Sequence, residues 1–83
     1  MKQQFQVINY DVWGNAKDGF EVNAAYFTGK TVSIDPESSD RAINRALNVR
    51  GIVWQGEPEF ALYGELKRNG MPALELRPIN QEG

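Results

Sequence analysis

Asp11, Asp18 and Glu21 cluster around the polar, glycine-bracketed stretch from Trp13 to Gly19, with Asn15 among them. Carboxylates gathered at one turn are an oxygen-donor set that can hold a hard divalent cation or a basic partner. The spacing departs from a calcium-binding loop, because setting Gly19 at that loop's required glycine puts Gly14, Ala16 and Asp18 at the ligand positions. The ordinary reading is solvated carboxylates, with Asp18 making a local turn bond. A small hydrolase built on Asp11, Asp18 and Glu21 is the chemical alternative, and it stands or falls with the binding of Mg²⁺, Mn²⁺ or Ca²⁺. Trp13 opens the same stretch, either as a lid folded back on the core or as an exposed anchor for a partner. Farther along, Arg41 and Arg45 lie one helical turn apart, with Arg50 directed elsewhere. Together with Lys67 and Arg68 they could contact phosphates, while Trp13 or Tyr63 stacks on a base. Glu37 and Asp40 lie beside these arginines, so surface pairing competes with that role.

The chain contains no cysteine and no histidine. Disulfides, Cys/His metal sites and every Ser-His or Cys-His nucleophile pair are therefore excluded. Glycine-rich phosphate loops, Ser-x-x-Lys and Gly-x-Ser-x-Gly are absent as well. The sequence thus points to no catalytic residue, no cofactor and no metal site.

The elements that must position these residues follow from periodicity. Gln4 to Val12 alternates, with Ile8, Tyr10 and Val12 on one parity and Phe5 and Val7 on the other, which predicts a strand. Phe20, Val22, Ala24 and Tyr26 predict a second. A seven-residue loop, Trp13 to Gly19, would pair Val12 with Phe20, Tyr10 with Val22 and Ile8 with Ala24 on the core side. The opposite side would then hold Phe5 against Phe27, Val7 against Ala25, Asn9 against Asn23 and Asp11 against Glu21. Thr28-Gly29-Lys30-Thr31 reads as a turn and Thr31 to Ile34 as a short third strand. Ala42, Ile43, Ala46 and Leu47 form one stripe of a helix over residues 38–49, capped by Ser38 or by Asp35 with Pro36, and closed by Arg50 and Gly51. Ile52-Val53-Trp54 is a short apolar strand. In the final hairpin, 60–66 and 72–79, a three-residue loop of Arg68, Asn69 and Gly70, with Gly70 left-handed, aligns Leu62 with Leu76, Gly64 with Leu74 and Leu66 with Pro72 on one apolar face. Gly64 would keep that face open for the helix. The expected fold is α+β, an antiparallel sheet in the order β-β-β-α-β-β-β with one helix packed on one face. The other face is left to solvent or to a partner, and Phe5, Phe27 and Val7 are expected on it.

At 83 residues this is one small domain, and its 41% hydrophobic residues can build only a modest core. The net charge is −2, and residues 1–40 carry Lys2, Lys17 and Lys30 against Asp11, Asp18, Glu21, Asp35, Glu37 and Asp40. Such an acidic balance weakens the case for nucleic-acid binding, whose affinity comes largely from cations on phosphates. No apolar run is long enough for a signal peptide or membrane span, which makes the cytoplasm the expected location.

The stretch Asp11-Val12-Trp13-Gly14-Asn15-Ala16-Lys17-Asp18-Gly19-Phe20-Glu21-Val22-Asn23 carries a family resemblance. So do Thr28-Gly29, Ser39-Asp40 with Ile43 and Ala46-Leu47, and Gly70-Met71-Pro72-Ala73-Leu74-Glu75-Leu76. With these residues the chain resembles a group of small uncharacterised proteins encoded by bacteriophages and prophages. The resemblance covers most of the chain and implies a phage origin, hence the cytoplasm of an infected bacterium, but it carries over no functional residues. The leading expectation is a non-enzymatic protein-binding or accessory module of phage type. It would engage a host or phage protein, or itself as a homo-oligomer through its sheet, using Trp13, Asp11, Asp18, Glu21, Phe5 and Phe27. The alternative is a nucleic-acid-binding domain using Arg41, Arg45, Lys67 and Arg68.

Overall fold

Alternating apolar and polar residues build two long strands that pair along almost their whole length. The computed structural model describes residues 1–79, with β1 (Gln3–Asn15), β2 (Gly19–Ile34), α1 (Asp40–Leu47), β3 (Ile52–Glu57), β4 (Ala61–Leu66) and β5 (Pro72–Pro78). The strands form one antiparallel sheet in the order β2-β1-β5-β4-β3, so β2 and β3 are its edges. Helix α1 joins those two edges and crosses one face. The α+β class with an antiparallel sheet and one short helix is as expected, but the described residues form five strands, not six. Thr28-Gly29-Lys30-Thr31 is not a turn between strands. It is an irregularity inside β2, where pairing jumps from Ile8–Phe27 to Gln6–Thr31. Gly29 takes a φ of 88° there, and the Thr28 hydroxyl donates to the Val7 carbonyl at 2.9 Å, so the strand bends without leaving the ladder.

The first hairpin is also tighter than its turn-rich sequence suggests. Pairing continues through Val12–Val22, Trp13–Glu21 and Gly14–Phe20 to Asn15–Gly19, leaving a three-residue loop in place of seven. Asn15 makes this possible: its Oδ1 accepts the backbone N–H groups of Lys17 at 3.0 Å and Asp18 at 2.8 Å. Strand β5 pairs with β1 only as far as Asn9. Residues 10–25 therefore extend past the β1–β5 pairing as a two-stranded arm, and the molecule is 44 Å in its longest dimension.

The core lies on the face opposite to the one that alternation in β1 favoured. Phe5 and Val7 point under α1 and pack with Ile34, Ile43, Ile52, Trp54, Leu62 and Leu76. Cross-strand pairing fixes this choice, because Val7 lies opposite Leu76, which in turn lies opposite Leu62. Phe5 is 0% exposed, so it belongs to the core and not to the open side. Ile8, Tyr10 and Val12 share the other face.

Helix α1 is shorter than residues 38–49. Its N-cap is Ser39, whose hydroxyl accepts from the Ala42 N–H, rather than Ser38 or Asp35, and Asn48 ends it in a left-handed conformation, before Arg50 and Gly51. Ile43 and Leu47 face the sheet, whereas Ala42 and Ala46 are exposed. Asn44 ties helix to sheet: its Nδ2 donates to the Ile52 carbonyl at 2.9 Å and its Oδ1 accepts from the Trp54 indole at 2.7 Å. In the last hairpin Leu62–Leu76 and Gly64–Leu74 pair as the register argument requires, and Gly70 has a φ of 75°. A shift after Gly64 puts Pro72 opposite Glu65 rather than Leu66, and the loop spans residues 67–71. Gly64 makes room for a strand neighbour, not for the helix. A β-carbon there would lie 2.7 Å from Ile52 Cγ2 and 2.8 Å from Trp54 Cζ3.

Candidate functional site: the open face of the sheet

An eight-residue helix is about 12 Å long, and α1 covers only the face bearing Phe5 and Val7. Among the described residues no element covers the other face. The register sets Phe27, Ile8, Glu75, Tyr63 and Gln55 in one row across the five strands. On β1 and β2 this row continues outward through Tyr10 beside Ala25, Val12 beside Val22, and Gly14 beside Phe20. An apolar strip thus runs from the middle of the sheet onto the arm. Phe27 is 49% exposed and Val22 44%, with Ala25 between them on the same face, so large apolar side chains face solvent along one strand.

Glu75 sits in the middle of this open face yet is only 7% exposed. Flanking Tyr10, Ile8, Tyr63 and Arg77 shield it, and its carboxylate is satisfied on both sides. Tyr10 donates its hydroxyl to Oε1 at 2.6 Å and Arg77 donates Nε to Oε2 at 2.7 Å. Partial burial and the carboxylate contact both push the Tyr10 hydroxyl above its ordinary ionisation range, and the same carboxylate raises Arg77. A buried carboxylate that is paired and hydrogen-bonded avoids most of the cost of an isolated one. The sequence marked Glu75 only as an outward-facing charge. Its burial depends on Tyr10, 65 positions away, and no local pattern signals that.

The residues singled out from the sequence are distributed over several places. Trp13, Asp11 and Glu21 sit on the arm's opposite face, with Asp18 at its tip. Trp13 is 64% exposed, so its ring does not fold back on the core. Asp11 accepts from the Asn23 side chain and Asp18 from that of Asn15, and among the described residues no set of three or more carboxylates gathers as a metal site. Arg41, Arg45 and Lys67 line one groove with Asn44, Asn48 and Arg50, and Arg68 adjoins it beside Lys67. Arg50 therefore joins these cations instead of pointing away. Asp40 borders the groove, but none of the five cations forms an ion pair among the described residues.

No family model, curated protein or solved structure matches the chain. The geometry alone therefore carries the functional reading. Among the described residues no helix is long and apolar enough to cross a membrane.

Proposed function

We propose that this protein is a small non-enzymatic binding module of phage type, acting in the cytoplasm of an infected bacterium, whose partner seats on the open face of the sheet and its arm. One observation carries the reading: an uncovered sheet face bears an apolar strip, Tyr10, Val12, Val22 and Phe27 around a buried Ile8, while helix α1 lies on the opposite face. Apolar area of this kind, rimmed by polar groups, marks interaction surfaces. Of the residues named from sequence, Phe27 lies on this surface and Trp13 on the reverse of the arm, where it can anchor a partner that wraps the edge. A photo-crosslinking side chain at Phe27, and another at the exposed helix position Ala46, tests the reading. Adducts to protein are expected from Phe27 alone, and adducts from Ala46 alone, or from neither, would refute it.

One observation favours a second reading, nucleic-acid binding. Arg41, Arg45, Arg50, Lys67 and Arg68 gather around one groove without ion-pair partners among the described residues. Against it, no exposed aromatic ring lines that groove, and the chain is acidic overall. Titration with labelled single- and double-stranded oligonucleotides decides: binding that weakens with salt and is abolished in Arg41→Glu/Arg45→Glu would support this reading.

A further inference from the structure

We infer that the occupant of the open face is a second copy of the same chain, packed sheet against sheet about a two-fold axis over β1. The inference rests on the binding-module reading and names its partner. Charge is the first argument. The strip that β1 and β2 contribute to this face carries no charged side chain, and the charges in its middle, Glu75 and Arg77, neutralise each other at 2.7 Å. Two such faces can meet without like-charge repulsion, a condition that self-pairing imposes on every residue near the axis. The acidic groups Asp11 and Glu21 sit on the reverse side of the arm, out of this contact. Glu57 and Glu65 share the open face but belong to β3 and β4, and a two-fold over β1 leaves them at the rim.

Area is the second argument. The molecule measures 44 by 24 Å in its two longer dimensions, and the open face runs from the five-stranded part of the sheet onto the two-stranded arm. A self-complementary contact over most of that face reaches the roughly 800 Å² per partner of a stable interface. Desolvation is the third. Glu75 is already 7% exposed with both oxygens bonded, so covering it by a partner adds little further cost. Apposed faces would then form a two-layer β-sandwich with their apolar strips as its interior.

Sedimentation equilibrium from micromolar to millimolar concentration tests this, with three variants at exposed positions. Val22→Glu and Phe27→Glu place an unpaired charge in the contact, and each is expected to weaken dimerisation by about a hundredfold. Tyr26→Glu lies on the same strand but on the opposite face, and is expected to leave dimerisation unchanged. Circular dichroism checks that each variant keeps its fold, and if either glutamate variant fails to fold, Phe27→Ser replaces it. A protein that stays monomeric throughout, or a dimer indifferent to Val22→Glu and Phe27→Glu, overturns the inference. A monomer whose Phe27 crosslinker still captures another protein removes only the second copy. A monomer that captures nothing removes the binding-module reading as well.

Discussion

The two faces of the sheet solve the same problem in different ways. On the covered face, Phe5, Val7, Leu62 and Leu76 are buried under α1 with Ile43 and Trp54, and burial of apolar area stabilises the monomer. On the open face Val22, Phe27 and Tyr63 remain nearly half-exposed, Ile8 is buried among its neighbours, and a paired carboxylate occupies the position where a core would place a leucine. One face holds the chain folded, and the other keeps its apolar surface for something else. With one helix available, a domain of this size can cover only one side of its sheet.

The contrast is tested most strongly by matched truncations. Phe5→Ala is expected to cost about 3–5 kcal/mol, enough to unfold much of the population at ambient temperature. Phe27→Ala should cost under about 1 kcal/mol in dilute solution, where its ring is already half in water. Urea denaturation at low protein concentration measures both, and equal costs would show that the open face is a second core. Gly64→Ala should cost about 1–3 kcal/mol, because its added carbon collides with the packed side chains of Ile52 and Trp54. Asn44→Ala should cost about 1–2 kcal/mol by leaving the buried Trp54 indole N–H without an acceptor. Trp54 fluorescence then reports the loosened contact between helix and sheet.

The smallest effect belongs to the open face and concerns pH. Folding holds the Tyr10 proton more tightly than the unfolded chain does. Its contribution is therefore full below the unfolded value of about 10 and declines as pH rises above it. Stability should fall in alkaline solution above that point, and Tyr10→Phe should flatten the fall. An unchanged alkaline slope in the variant would remove the Tyr10–Glu75 bond from the account.

Which of these features the sequence discloses depends on how far apart the partners are. Alternation located β1 and both parts of β2, though it divided that strand in two, and the leucines of β4 and β5 set their register because hairpin partners are close in sequence. The same alternation in β1 could not say which face is covered, since Phe5 and Val7 on one parity are matched by Ile8, Tyr10 and Val12 on the other. That choice is made by pairing Val7 with Leu76, a contact from the other end of the chain. The strand break read at Thr28-Gly29 is a bulge because hydrogen bonding to β1 resumes beyond it. Among candidate site residues, Trp13 was legible as a large apolar group opening a polar loop, whereas Phe27 was assigned to the open side through a pairing with Phe5 and in fact lies opposite Ile8. Glu75 and Asn44 were not, since their roles exist only after distant strands or the helix and β3 have met.

The central claim, that the open face rather than the helix side or the basic groove is the interaction surface, is tested most directly by backbone and side-chain NMR over a dilution series. The account predicts concentration-dependent shifts at Ile8, Tyr10, Val12, Val22, Phe27 and Tyr63, with Arg41, Arg45 and Ala46 unmoved. Shifts confined to α1 and the groove would contradict it, and a spectrum that does not change with concentration would remove the second copy as the occupant.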